Sequence, residues 1–276
     1  VKSLMIQQIG DQIDWTETKP MNEEERYLFD LQGYLVIPNA IEPETVTAMN
    51  AWIDTQAERD EKWRGQTGNA HIDSPILWGP LFRNLIDNPR ILPCLKETLG
   101  AKLRLDHDYA IFLQPGHTGL KLHGPNTTPF DPCHYYRCYN GQIYCGLTVA
   151  TYALTDTPPG TGGLAIVPGS HKSNFECPAD IKRLERASSI VQQISAKAGD
   201  CILFTEALVH GTLPWQGPGV RRTLFFKYAP CSIAWSNQTY FPSGGTPGAI
   251  GLESELTEAQ RILLSPPGAV DFAKKL

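Results

Sequence analysis

From Leu103 onward the chain is written in short apolar, β-branched and aromatic runs broken by Gly, Pro, Asn and Asp, and this punctuation constrains the fold more than any other feature. Runs so short and so closely punctuated leave little room for helices, whose apolar residues recur three and four apart over longer stretches. The expected strands are Leu103–Leu113, Leu120–His123, Ile143–Ala153, Gly163–Val167, Ser189–Ile194, Cys201–Thr205 and Arg222–Tyr228. Their spacing suits an antiparallel sandwich or barrel and comes close to the roughly eight strands of a jelly roll.

The region before Leu103 reads differently. A helix is expected from Asn22 to Gly33, with Glu23, Glu24 and Glu25 in its first turn favouring the macrodipole and Gly33 ending it. Tyr34–Pro38 reads as a strand. A second helix is expected over Pro43–Arg59, carrying Val46, Met49 and Trp52 at helical spacing, and a third over Pro89–Leu99, closed by Gly100. Leu256–Leu264 could form one more. The expectation is a mainly β fold with α, a double-stranded β-helix of the jelly-roll or cupin kind with the N-terminal helices packed on one sheet. It is read as one domain over residues 1–276: a helical N-terminal third over about 1–102, a β core over about 103–230 and a C-terminal extension over 231–276.

Composition narrows the partners. The formal net charge is -5, so no overall basic field attracts nucleic acid or an anionic membrane, and a small-molecule substrate is favoured. The seven cysteines form an odd set without a C-x-x-C pair, which fits a reduced, cytoplasmic protein better than a disulfide framework. The cluster of Cys133, Cys138 and Cys145 is read as structural. The stretch VKSLMIQQIGDQIDW has no basic patch followed by an apolar run, and no long apolar span occurs, so neither export nor membrane insertion is expected.

Two of the seven histidines stand out by context. His123 ends the apolar run GLKLHG, and His210 follows another in CILFTEALVHG, where strand ends would place both at a barrel mouth. Histidine is the commonest transition-metal ligand, and a catalytic iron needs a few protein ligands on one face with positions left open. Downstream, HGTLPWQGPGVRRTLFFKY offers a hydroxyl at Thr212 and an arginine at Arg221 opening a strand. An arginine fork binds a carboxylate through two nitrogens, and a nearby hydroxyl can donate to the same group, so the arrangement suits a dicarboxylate clamp.

These segments together resemble the phytanoyl-CoA dioxygenase family of iron(II)/2-oxoglutarate oxygenases. The resemblance spans about Leu31 to Tyr228 and rests on GYLVIPNAI, LTDTPPGTGGLAIVPGSHKSNF, AGDCILFTEALVHGT and RRTLFFKY. It implies an oxidoreductase using Fe(II), 2-oxoglutarate and O2, with His123 and His210 as the iron-binding histidines. Thr212 and Arg221 then hold the distal carboxylate of 2-oxoglutarate, with Arg222 the fallback for its neighbour, and His171 matches a histidine that is not a ligand. The implied reaction oxidises a C–H bond of a small-molecule metabolite and releases succinate and CO2. Tyr135, Tyr136, Trp215 and Trp235 could line the substrate pocket, and Arg137 could meet an anionic group.

At one point the resemblance breaks. The family writes histidine, any residue, aspartate, whereas this chain reads His123-Gly124-Pro125. Three readings remain. A carboxylate arrives from elsewhere, Asp131 between Pro129 and Pro132 being the first candidate, with Asp106, Asp108 and Glu206, four residues before His210, as others. Alternatively the site is carboxylate-free, as in the related iron halogenases, where halide takes the vacated position. Or the barrel is a non-catalytic binding module, against which the retained His210, Thr212 and Arg221 argue.

Overall fold

The computed structural model describes residues 20–66, 71–125, 130–236 and 252–268. The reading of the first fifteen residues therefore lies outside the described part of the chain. Among the described residues, six helices are α1 (Glu23–Gln32), α2 (Pro43–Arg59), α3 (Pro80–Arg83), α4 (Leu92–Leu99), α5 (Ala179–Lys182) and α6 (Glu258–Leu263). The first half of the strand set is β1 (Tyr34–Ile37), β2 (His71–Asp73), β3 (Leu103–Leu113), β4 (Leu120–His123), β5 (Tyr136–Tyr139) and β6 (Gln142–Cys145). The second half is β7 (Thr148–Ala153), β8 (Gly163–Ile166), β9 (Gln192–Gln193), β10 (Cys201–Thr205), β11 (His210–Leu213) and β12 (Arg221–Pro230).

Helix ends follow the local chemistry. Asn22 caps α1 in a capping box with Glu25, and Gly33 closes it at φ 86°, a backbone angle that favours glycine. Pro43 sits in the first turn of α2, where its missing N–H costs nothing. The helix expected from Pro89 starts only at Leu92, because the Asn88 side chain accepts from the Arg90 N–H and holds a turn ahead of it.

The strands pair antiparallel throughout. A six-stranded sheet runs β1-β10-β7-β12-β3-β2, a four-stranded sheet runs β4-β11-β8-β9, and β5 and β6 form a hairpin. Alternation along each strand divides the core in two. On β12, Leu224, Phe226 and Tyr228 join an apolar cluster that also holds Phe29, Met49, Ile53 and Leu95 from the helices. Phe225, between them, faces the other way and packs with Leu164 and Ile166 of the four-stranded sheet. The space between the two sheets is thus lined by Arg221, Thr223, Phe225 and Lys227 of β12, and this is where the site is built.

Three strand expectations change. The run Ile143–Ala153 is interrupted rather than continuous, because the Gly146 and Leu147 N–H groups bond Tyr135 and Cys133 on a crossing segment. A Cβ at Gly146 would run into the Cys133 carbonyl, so only glycine lets that segment pass. Ser189–Ile194 contracts to Gln192–Gln193. His210 does not merely follow a strand; it begins one, β11, that the apolar runs did not reveal. All seven cysteines are free, with Cys133 and Cys145 buried. Among the described residues no helix is long and apolar enough to cross a membrane.

Candidate metal centre

His123 is the last residue of β4 and His210 the first of β11, and the two are direct antiparallel partners. Their rings lie 4.2 Å apart between centroids. The His210 Nδ1 stands 2.8 Å from the Leu208 carbonyl and donates to it, which leaves Nε2 as the ring's lone pair. The ring is buried against Phe204, and burial pushes its pKa down to about 4 despite the opposing Glu206 charge. His210 is therefore neutral at ordinary pH, the form that binds a metal.

The third member of the cluster is Glu206. It sits in the turn Thr205–Leu208 that joins β10 to β11, held by its own N–H to the Leu147 carbonyl and by the Leu208 N–H to Thr205. That turn aims its carboxylate back at the histidine four residues on. Glu206 Oε1 is 3.8 Å from His210 Nε2, and ligand atoms of His123, Glu206 and His210 all lie within 4.8 Å of one another. Burial alone would raise the Glu206 pKa. The Lys227 ammonium, 2.7 Å from Oε1, together with His210 and His123 overrides burial and holds the carboxyl well below the usual range. Two histidines on paired strands and one ionised carboxylate on the adjoining turn form a donor set that fits iron(II).

Asp131, the first sequence candidate, is not one of the three. Its carboxylate accepts from the Cys133 N–H at 2.8 Å and pairs with His134 Nδ1 at 2.7 Å, so the Asp-Pro turn uses it locally. His134 in turn points its Nε2 at Glu206 Oε2, 3.6 Å away, which places Asp131 behind the cluster. Asp106 is buried and accepts from Arg104, His107 and the Trp235 and Ser236 N–H groups, while Asp108 accepts from the Ile76 N–H.

The other half of the site lies further along β11 and at the start of β12. Thr212, two residues after His210, is buried and pairs with Leu164. Arg221 faces the space between the sheets, and its side chain packs at the Cα of Gly163, whose register partner is Leu213. Arg221 is 3 % exposed, and its side chain has no hydrogen bond or ion pair among the described residues, the buried Nε included. Burial without a counter-charge pushes its pKa down to about 10. An orphaned buried guanidinium fits a carboxylate ligand. Arg222 turns outward instead and pairs with Asn50 and Asp54 of α2.

A cavity of about 720 Å³ opens beside the cluster, lined by His134, Tyr135, Tyr136, Arg137, His171 and Val209 among others. His171 is buried, with Nε2 donating to the Asp30 carbonyl and its ring against Tyr136. Trp215 is not part of this wall: it is buried against Leu113 and donates to the Gly219 carbonyl. Trp235 is half exposed and stacks on His107. Lys227 and His134, the two groups touching the Glu206 carboxylate, were not singled out in the sequence. A lysine inside the apolar run TLFFKY was the available signal.

Comparison with known proteins gives the family. The model of phytanoyl-CoA dioxygenase (PhyH) matches residues 29–223. An ectoine dioxygenase from Nocardia farcinica is 23% identical over 247 residues, covering 79% of this chain and 81% of that relative. The structure of HygX from Streptomyces hygroscopicus with nickel and 2-oxoglutarate bound superposes with a TM-score of 0.68 at 24% identity, covering 78% of this chain and 90% of HygX. Its iron-bound form gives 0.66 at 25%, covering 79% and 90%. The fold is the jelly roll of iron/2-oxoglutarate oxygenases, and the chain belongs to the phytanoyl-CoA dioxygenase family. It is a dioxygenase that uses iron, 2-oxoglutarate and O2.

Proposed function

We propose that this dioxygenase oxidises a C–H bond of a small-molecule metabolite, with iron held by His123, Glu206 and His210. The observation that carries the reading is the convergence of those three side chains from β4, the β10–β11 turn and β11. Arg221 and Thr212 would grip the distal carboxylate of 2-oxoglutarate, which supplies the counter-charge that the buried guanidinium lacks. Iron and the 2-oxo acid supply the oxidising chemistry, with succinate and CO2 released; the protein supplies ligands, orientation and exclusion of water.

Glu206 also bears on the outcome. A carboxylate-free site was the ground for the halogenase reading, and Glu206 puts a carboxylate among the two histidines without an aspartate at Pro125. Oxygenation is accordingly favoured over halide transfer. The cavity walled by His134, Tyr135, Tyr136 and Arg137 is the place for the substrate, and its mixed polar and aromatic lining suits a polar metabolite.

Anaerobic addition of Fe(II) and 2-oxoglutarate to the metal-free protein tests the reading. A visible metal-to-ligand charge-transfer band that saturates with one iron and one 2-oxoglutarate is expected, and loss of 2-oxoglutarate binding in Arg221→Met should accompany it. No band at saturating concentrations of both would overturn the proposal.

A further inference from the structure

The cavity beside the cluster is walled by a near neighbour of each cluster residue: Pro125 lies two residues after His123, Ala207 follows Glu206 and Val209 precedes His210. Its charge runs against that of the whole chain. The formal net charge of the chain is -5, yet three cationic side chains, Arg137, Lys172 and Lys182, line the cavity against two carboxylates, Asp131 and Glu176. Most of these charges are already matched. Asp131 pairs with His134, Lys182 stands 4.0 Å from Glu176, and Lys172 reaches Asp30 at 2.7 Å. Arg137 is the exception.

Arg137 lies on β5, is exposed to the cavity and carries no ion pair and no side-chain hydrogen bond among the described residues. Its guanidinium stands over the Phe130 ring, 5.8 Å from the centroid, and that ring packs in turn on Tyr135 at 5.7 Å. Contact with a ring face steadies the guanidinium and uses none of its N–H donors.

We propose that Arg137 is a specificity-determining residue that binds an anionic group, a carboxylate or a phosphate ester, on the small-molecule substrate. The proposal rests on the reading of this cavity as the place for the substrate. A guanidinium fork matches either oxyanion through two nitrogens. The surplus of positive charge in the cavity also draws an anion in, since a cleft focuses the field of its lining. A cationic substrate meets the opposite field. Lys172 and Lys182 strengthen the attraction, but each already has a carboxylate beside it, which leaves Arg137 as the cation with unspent donors.

Four probes that share one ring and differ in charge test the proposal: phenylacetate, phenyl phosphate, phenethyl alcohol and phenethylamine. Each is titrated at fixed ionic strength into the protein loaded anaerobically with Fe(II) and saturating 2-oxoglutarate. Calorimetry gives the affinity, and displacement of the charge-transfer band reports whether the probe sits beside the iron. The two anions should bind at least about tenfold more tightly than the alcohol and the amine, and should move the band. The tighter of the two tells carboxylate from phosphate. Arg137→Gln should bring both anions down to the affinity of the alcohol, and Arg137→Lys, a charge without the fork, should keep part of the preference. Equal affinity for all four probes, no binding of any, or an unchanged preference for anions in Arg137→Gln would overturn the proposal. Where the probes move the band without regard to charge, the cavity is still the substrate's place and only the role of Arg137 fails. Anion binding that depends on Arg137 but leaves the band unmoved would instead overturn the place of the cavity in the reaction, and the proposal with it.

Discussion

His123 and His210 are register partners across the antiparallel pair β4–β11, so two residues far apart in sequence are brought together by a single strand pairing. The pairing explains why both must sit at strand ends. His123 closes β4 and His210 opens β11, which leaves one rim of the four-stranded sheet carrying both imidazoles. Replacing either with alanine should weaken Fe(II) binding by more than the roughly 10–100-fold that loss of an outer-shell partner costs. Anaerobic iron titration checks this, and His117→Ala, outside the cluster, serves as the comparison.

Arg221 makes a prediction of mixed sign. Its guanidinium is buried without a partner, so Arg221→Met should leave the ligand-free protein with a melting temperature no lower than wild type. The same change should cost 2-oxoglutarate binding about 2–5 kcal/mol, because the distal carboxylate would be left without its clamp. Calorimetry and thermal unfolding on the one variant read both. Arg222→Met should instead leave 2-oxoglutarate affinity at the wild-type level, since that side chain is spent on Asn50 and Asp54.

His171 sets a pH dependence of stability. Burial pushes its pKa down to about 4, below the ordinary 6.5, so the unfolded chain binds the proton more readily than the folded one. Stability contributed by the neutral ring is complete above pH 6.5 and is lost as pH falls toward 4, by about 3 kcal/mol. Urea unfolding of the metal-free protein at pH 7 and pH 4.5 should show the loss. His171→Gln should reduce it, and an unreduced loss would assign the effect elsewhere.

Gly146 links fold to site. A side chain there would strike the Cys133 carbonyl and displace the segment that carries His134, so Gly146→Ala should destabilise the protein by about 1–3 kcal/mol. Chemical denaturation measures it.

Much of the fold could be read from the sequence because its signals are local. Asn22, Pro43 and Gly33 mark helix ends by their own backbone chemistry, and β3, β4 and β10 coincide with their apolar runs. The strand that carries His210 escaped, since His-Gly-Thr-Leu has no apolar alternation and owes its extended form to partners on both sides. Asp131 drew attention through its flanking prolines and its closeness to His123 in sequence. The turn that begins at Asp131 and Pro132 consumes that carboxylate. Glu206 sits four residues from His210, but only the β10–β11 turn aims it across the sheets, and Lys227 reaches it from a strand that pairs with neither histidine strand. Such convergence is a property of topology and is written in no single segment.

The most direct measurement of the central claim sets Glu206→Ala beside Asp131→Ala in anaerobic Fe(II) titrations with 2-oxoglutarate present. The account predicts that Glu206→Ala loses iron binding and the charge-transfer band, while Asp131→Ala stays within about tenfold of wild type, as befits a residue one shell removed. Wild-type iron affinity in Glu206→Ala, with loss of binding in Asp131→Ala, would contradict it.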